Sequence, residues 1–252
     1  MKLRVLGCSG AEFPGHSPSG FLIDGTLLLD AGTVGAALDQ EEQRSIEHIL
    51  VTHCHMDHVR GIPFLADNIV VSGSSQKVQV LASAEVIAAI GSHLLNGLIW
   101  PDFTRIPTPQ DPVLSYREVP VEREFQVGEY TVLACRVNHP VPALGYRVTR
   151  DGTSLLYTGD TGPTQRIWEL AGALDALVVE VSFPTAMEEI ALMTGHLTPA
   201  LLARELAKLP CPPRRVLITH LKPQYEEAIS SELESLAIPG LELLQDGATY
   251  QL

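Results

Sequence analysis

The chain has 252 residues, 45% of them hydrophobic, so it can form one large α/β or β-sandwich domain with a sizeable core. Its net charge of −13 and the absence of a Lys/Arg-rich run argue against a nucleic-acid backbone as its partner. Four scattered cysteines, no signal-peptide pattern in "MKLRVLGCSG" and no apolar run of ~18 residues predict a reduced, cytoplasmic protein without a membrane span.

Apolar runs bounded by Gly, Pro and Ser predict strands in the first half of the chain, at "KLRVLG", "GFLIDGTLLLDAG", "EHILVTH" and "KVQVLAS". Helices are predicted from residues 61–69, after the "RGIP" turn, and over "AEVIAAIGSHLLNGL", which has helical periodicity. The Pro-rich, aromatic stretch "IWPDFTRIPTPQDP" interrupts this pattern, so residues 92–116 are expected to form a lid or an insertion.

A second series of strands is predicted at "YREVPVEREFQVGEYTVLACRVNH", "ALGYRVTRDGTSLLYTGD" and "ALDALVVEVSF". Asp-Gly in "TRDGTS" indicates a hairpin turn, because it supplies positive φ angles. Thr198 and Pro199 predict the capped start of the helix "LTPALLARELAKL". "RRVLITH" is the last clear strand before a helical and hairpin tail. Two strand-rich series with helices predict an αββα four-layer sandwich, in one domain over residues 1–252.

The segment "HILVTHCHMDHVRGIPFL" concentrates potential metal ligands directly after an apolar strand. Positions two apart in an extended segment project to the same side, so His53 and His55 can share one metal. Asp57 and His58 follow where the chain changes direction and can reach a second metal. Zinc binds neutral imidazoles and carboxylates at about 2.0–2.2 Å, so this spacing predicts a metal site.

Three later strands also end in coordinating residues: "VNH" at His139, "YTGD" at Asp160 and "ITH" at His220. Because strand ends converge on one edge of a sheet, we expect His139 to complete the first site and His220 the second. Asp160 is expected to bridge the two. Two metals about 3.5–4 Å apart can hold a bridging hydroxide and clamp a phosphoryl group during in-line displacement.

The motif "HCHMDH", followed in order by His139, Asp160 and His220, resembles the HxHxDH signature of the metallo-β-lactamase superfamily. The ligand set is similar to that of the dinuclear phosphodiesterase branch, whereas the β-lactamases have a Cys ligand where Asp160 stands. The segments "IWPDFT", "YTGDTGPT", "VVEVSFP", "GHLTP" and "THLKP" further resemble the class II cyclic-nucleotide phosphodiesterases, over residues 3–225. Met56 replaces the Leu usual in that family, a swap of similar volume at a non-ligand position.

This resemblance implies the metallo-β-lactamase fold and hydrolysis of 3′,5′-cyclic nucleotides (cAMP or cGMP) to 5′-monophosphates by a metal-bridging hydroxide. The implied cofactors are two divalent ions, most simply Zn²⁺, with Mn²⁺ or Fe²⁺ left open. Asp57 and His196 are the candidate catalytic residues, with His196 as general acid or as a donor to a phosphoryl oxygen. Thr198 is a candidate substrate contact through its hydroxyl.

Five further residues are expected near the site. Trp100 and Phe103 are candidates to stack on a base, or else to pack the lid. Asp30, which ends "LLLDAG", is expected to orient ligands or to hold the sheet together. Glu180 and Ser182 are expected near the ligands, with Glu180 as a hydrogen-bond partner of a ligand histidine.

The expected partner is a small anionic phosphodiester, with no membrane and no nucleic acid; a homodimer is left open. A tRNA 3′-processing endonuclease would share the ligand set and a similar late histidine, but the acidic charge and the absence of a Gly/Lys-rich arm argue against it. A metallohydrolase of another ester, such as a thioester, lactone or sulfate ester, stays open because the fold does not choose among these. A non-catalytic metal- or nucleotide-binding module is disfavoured by the complete ligand set.

Overall fold

The computed structural model describes residues 1–252. Its strands are β1 (Lys2–Gly7), β2 (Gly20–Ile23), β3 (Leu27–Leu29), β4 (His48–Leu50), β5 (Val78–Ala82), β6 (Pro107–Thr108), β7 (Asp111–Pro112), β8 (Leu114–Glu118), β9 (Glu124–Val127), β10 (Tyr130–Arg136), β11 (Leu144–Arg150), β12 (Thr153–Tyr157), β13 (Ala176–Glu180), β14 (Arg215–Thr219), β15 (Leu241–Leu243) and β16 (Thr249–Gln251).

Its α-helices are α1 (Gln40–Arg44), α2 (Met56–Val59), α3 (Gly61–Val71), α4 (Ala84–Ala89), α5 (Arg166–Leu170), α6 (Glu188–Thr194), α7 (Pro199–Leu206) and α8 (Glu226–Ser235). Helix α4 continues into a π-helical turn over Ile90–Leu94, and 3₁₀ turns precede α6 and α8. None of these helices combines the length and the apolarity that a bilayer crossing needs.

Two seven-stranded mixed sheets form the centre of the molecule. The first has the order β16-β1-β2-β3-β4-β5-β8, and the second has the order β15-β14-β13-β12-β11-β10-β9. Strands β3, β4, β5 and β8 run parallel, as do β12 to β15, and the other pairs are antiparallel. Ligands commonly bind outside the carboxyl ends of parallel strands, so this arrangement marks one edge of each sheet as a candidate site.

Three apolar layers hold the sheets and helices together. Consecutive residues of a strand face opposite sides, so Leu27 and Leu29 of β3 lie between the two sheets and Leu28 faces the helices. On the far side of the second sheet, Trp168 of α5 and Leu202 of α7 are fully buried. The sheets are therefore covered on both faces, and the predicted αββα four-layer sandwich is confirmed.

The predicted hairpin at "TRDGTS" is confirmed: Asp151 and Gly152 have φ angles of 50° and 79° and join the antiparallel strands β11 and β12. The predicted hairpin tail is wrong. Helix α8 leads into β15, which pairs parallel with β14, whereas β16 pairs with β1 of the other sheet. The carboxylate of Asp246 fixes this crossing, because it accepts hydrogen bonds from the amides of Cys8 and Ser17 at 3.0 and 2.8 Å.

Residues 92–116 are anchored at both ends in the core. Leu95, Phe103 and Val113 are each 2% exposed, whereas Leu98 and Ile99 are 86% and 62% exposed. The exposed tip therefore extends from a firmly packed base. That this segment acts as a lid stays a prediction.

Candidate dinuclear metal site

The seven predicted ligands lie together at the edge where the parallel strands end. Both sheets contribute to them. The segment after β4 and the start of α2 supply one group, and the loops after β10, β12 and β14 supply the other. The seven are His53, His55, Asp57, His58, His139, Asp160 and His220.

The first donor cluster consists of His53, His55 and His139. The Nε2 atom of His53 lies 3.1 Å from Nδ1 of His55, and Nε2 of His139 lies 3.3 Å from that same atom. Two nitrogen ligands of one tetrahedral zinc ion lie about 3.3 Å apart, given bond lengths of about 2.0–2.1 Å. The spacing of these atoms therefore fits a shared cation.

The tautomers of two of these histidines support the same conclusion. The Nδ1–H of His139 donates to the carbonyl of Gly195 at 3.0 Å, so in the neutral ring Nε2 carries a lone pair. His53 Nδ1 lies 2.9 Å from the hydroxyl of Thr52, whose own proton goes to Asp30, so Nε2 of His53 also carries a lone pair. Both Nε2 atoms therefore offer a lone pair toward His55 Nδ1, where a shared cation can bind.

The second donor cluster consists of Asp57, His58, Asp160 and His220. His220 Nε2 lies 3.3 Å from an oxygen of each aspartate, and His58 Nε2 lies 3.3 Å from Asp160 Oδ1. His58 Nε2 is buried and makes no hydrogen bond, as expected of an atom that binds a metal. Asp160 Oδ2 is also 3.7 Å from His53 Nε2, so this carboxylate lies between the two clusters, where a bridging ligand is needed.

Asp30 orients one predicted ligand and joins the two sheets. Its fully buried carboxylate accepts hydrogen bonds from His58 Nδ1 at 2.7 Å, from the Thr52 amide and hydroxyl at 2.7 and 2.8 Å, and from the Tyr157 hydroxyl at 2.8 Å. The bond to Nδ1 directs Nε2 of His58 toward the second cluster. Both expected roles of Asp30 are therefore present in the structure.

The electrostatics of the first cluster favour metal binding. Burial lowers the pKa of His53, His55 and His139, which keeps these imidazoles neutral. Neutral imidazoles are the form that a divalent cation binds. The three nitrogen donors are therefore available without loss of a proton.

The second cluster contains the charged ligands. Burial opposes ionisation of Asp57 and Asp160, but His220 and His58 lower the pKa of both carboxyls. Burial also opposes protonation of His58, yet the carboxylates of Asp160 and Asp30 raise its pKa. A cation that binds here would therefore meet ionised carboxylates and displace a proton from His58.

His196 lies beside both clusters, with its ring centroid 5.3 Å from that of His139 and 5.4 Å from that of His220. Its Nδ1–H donates to Glu180 Oε1 at 2.7 Å. Burial would lower the pKa of His196, but the Glu180 carboxylate outweighs burial and raises it. The expectation that Glu180 bonds a ligand histidine directly is wrong, because Glu180 reaches His220 only through the hydroxyl of Ser182.

Two of the three predicted substrate contacts do not fit the structure. Phe103 is 2% exposed and packs in the core, because the base of its segment is buried there. Thr198 is fully buried, which removes its hydroxyl from a substrate, and this hydroxyl accepts the Leu201 amide at 3.3 Å, which confirms the predicted helix cap. Trp100 is half-buried against Phe64, with ring centroids 5.1 Å apart, and its contact with substrate stays a prediction.

An apolar recess beside the first cluster was not anticipated from the sequence. It has a volume of about 260 Å³, and two of its residues, Cys54 and Met56, flank the predicted ligand His55. The alternation of ligand and apolar residue in "HCHM" is the sequence signal that could have indicated it. The recess is lined by Cys54, Met56, Val59, Ala89, Ile90, His93, Leu94 and Ile99.

Residues 26–221 match the family model described as the β-lactamase superfamily domain, and the chain therefore belongs to the metallo-β-lactamase superfamily of metal-dependent hydrolases. An uncharacterised protein of Mycobacterium leprae is 26% identical over 272 residues, which cover 100% of this chain and 89% of that protein. Ribonuclease BN of Enterobacter sp. is 25% identical over 258 residues, with 80% of each chain covered. The crystal structure of unliganded yeast PDE1 shares the fold, with a TM-score of 0.84 at 18% identity over 100% of this chain and 99% of that one.

Proposed function

We propose that the protein is a dinuclear-metal phosphodiesterase that hydrolyses 3′,5′-cyclic nucleotides, cAMP or cGMP, to nucleoside 5′-monophosphates. The observation that carries this proposal is the pair of adjacent donor clusters that share Asp160, with His196 beside them. Two neighbouring cation positions and a proton donor are what in-line displacement at phosphorus requires.

Two divalent ions held by the seven ligands would supply an activated water and would neutralise the charge that develops on the phosphoryl oxygens. The chain itself supplies the proton for the leaving group. His196 binds Glu180 through Nδ1, so Nε2 is the ring atom that can protonate the 3′-oxygen. As water oxygen bonds to phosphorus, the bond from phosphorus to the 3′-oxygen breaks, and the product is a 5′-monophosphate.

The apolar recess supports a small substrate with an uncharged ring. Cys54 and Met56 in its lining are chain neighbours of the predicted ligand His55, and we propose that the non-ionic part of a diester bound at the donor clusters packs in this recess. The lining is apolar except for His93. A nucleobase matches this environment, since its ring can pack against apolar side chains while its edge finds one polar partner.

The charge distribution favours a small anion over a polynucleotide. Eleven of the 17 Lys and Arg side chains form ion pairs with acidic groups of the chain, so few are free to bind a phosphate backbone. Only Asp57 and Asp160 bring negative charge to the seven-ligand set, so two divalent ions would leave the site positive. A small anion would then be attracted locally despite the net charge of −13.

A tRNA 3′-processing endonuclease is the second candidate. The likeness to ribonuclease BN favours it, because a nuclease of this superfamily needs the same two cation positions. The scarcity of unpaired basic side chains argues against this candidate, because few are free to bind the phosphate backbone of a tRNA.

A hydrolysis panel on metal-loaded protein tests the proposal. We expect turnover of cAMP or cGMP and of bis(p-nitrophenyl) phosphate, and none of precursor tRNA or a β-lactam. Cleavage of precursor tRNA without cyclic-nucleotide turnover would establish the second candidate instead. Inactivity toward every diester, with both metals bound, would overturn both.

A further inference from the structure

The side chain of Ser182 lies between the second donor cluster and His196. It is fully buried, and its Oγ is 2.9 Å from His220 Nδ1 and 2.9 Å from Glu180 Oε2. Glu180 binds His196 Nδ1 through its other oxygen, Oε1, at 2.7 Å. One hydroxyl and one carboxylate thus connect a predicted metal ligand to the proposed acid.

The direction of each hydrogen bond follows from valence. If His220 binds a metal through Nε2, its Nδ1 must carry the hydrogen and donates it to Ser182 Oγ. The hydroxyl proton of Ser182 then goes to Glu180 Oε2, since a carboxylate is a stronger acceptor than the His220 carbonyl 3.1 Å away. Glu180 is held in turn by the amide of Thr161, the residue after Asp160, at 3.0 Å.

We propose that Ser182 is a positioning residue for the second cation position. It fixes the tautomer and the ring orientation of His220, and it joins that ligand to the Glu180–His196 pair. This inference rests on the proposed function in the role given to His196, but metal binding tests it whatever the substrate is.

The cluster of Glu180, His196 and His220 could be mistaken for a third metal site, since its donor atoms lie within 4.8 Å of one another. The Ser182 hydroxyl lies among these atoms and is within 3.2 Å of both Nδ1 atoms. Because every one of those donors already has a hydrogen-bond partner, we assign this cluster to positioning and not to metal binding.

Substitution Ser182→Ala tests the proposal through Zn²⁺ titration of the metal-free protein. Outer-shell substitutions lower metal affinity about 10–100-fold, so we expect that loss for one equivalent of Zn²⁺ and an unchanged affinity for the other. Ser83→Ala is the matched control, because Ser83 is also buried but caps helix α4. It should lower the melting temperature and leave both affinities unchanged.

Two outcomes would overturn the proposal: unchanged affinity for both equivalents in Ser182→Ala, or an equal loss of affinity in Ser83→Ala. If Ser182→Ala does not fold, ¹⁵N NMR of the Zn²⁺-loaded wild type gives the answer. A slowly exchanging Nδ1–H on His220 supports the proposal, and metal on Nδ1 contradicts it. Failure of the proposed function would give a different result. The Ser182→Ala substitution would still lower the metal affinity, but the wild-type protein would not hydrolyse cAMP or cGMP.

Discussion

Two residues of the site, Asp30 and His220, have φ angles of 55° and 64°. Non-glycine residues rarely adopt this left-handed conformation, and it costs on the order of 1–3 kcal/mol where the surroundings enforce it. In His220 the surroundings include a 2.6 Å hydrogen bond from its amide to the carbonyl of Cys8. Both residues directly follow a strand. The left-handed conformation turns the backbone at this point, so that each side chain points toward the donor clusters. If the strand continued, the side chain would point in another direction.

His196→Ala should retain both metals and slow turnover by roughly 10²–10⁴-fold, because it removes the proposed proton donor and no ligand. The measurement is kcat with cAMP on protein whose metal content has been determined. His48→Ala, at the start of β4, is the control and should leave kcat unchanged. An unchanged rate in His196→Ala would remove this residue from the mechanism.

Tyr157→Phe should cost more stability than Tyr146→Phe. Both rings are buried and both hydroxyls donate at 2.8 Å, but Tyr157 donates to the Asp30 carboxylate and Tyr146 to the Val51 carbonyl. Hydrogen bonds to charged groups contribute about 1.5–3 kcal/mol, and neutral ones about 0.5–1.5 kcal/mol. Urea unfolding of the metal-free variants measures the difference, and equal losses of stability would contradict the greater contribution expected from the Tyr157–Asp30 hydrogen bond.

At the scale of elements, the clustering of the seven predicted ligands could be predicted because each follows a strand or lies in one dense motif. His139, Asp160 and His220 end apolar runs, and strand ends share an edge. The burial of Phe103 was not predictable, because it depends on how residues 92–116 pack against the first sheet. The hydrogen bonds of Ser182 to Glu180 and His220 were not predictable either. They depend on how β13, β14 and the segment before α7 pack together in three dimensions.

The recess beside α4 allows a test of substrate binding. Ala89→Phe should fill part of the 260 Å³ cavity and raise the KM for cAMP by about tenfold, the effect of roughly 1.4 kcal/mol of lost binding. Ala88 precedes it on the helix but is exposed and outside the recess, so Ala88→Phe is the control. Equal KM values in the two variants would show that substrate does not enter the recess.

At the scale of the whole molecule, Asp24 ties the first sheet to the second. Its carboxylate accepts the Lys2 amide at 2.7 Å and the Tyr130 hydroxyl at 3.0 Å, and it pairs with Arg150 at 3.2 Å. Burial would raise the pKa of Asp24, but these three partners lower it below the ordinary value of 3.8. The carboxylate is therefore more acidic in the folded protein than in the unfolded chain.

A lowered native pKa stabilises the fold at pH values above 3.8, and this stabilisation is lost as pH falls through the native pKa. Asp24→Asn should therefore lower the melting temperature at pH 7, and the gap to the wild type should shrink below pH 3.8. Glu129→Gln, at a more exposed partner of Arg150, should behave like the wild type. A gap that stays constant with pH would contradict this role of Asp24.

Each donor cluster takes its predicted ligands from both sheets. His53 and His55 follow a strand of the first sheet, whereas His139 follows a strand of the second, and the same division separates His58 from His220. Every bound ion would thus link the two sheets of the sandwich. Because the ions would bind the folded protein and not the unfolded chain, the stability of the fold and its resistance to proteases would rise with the free metal concentration.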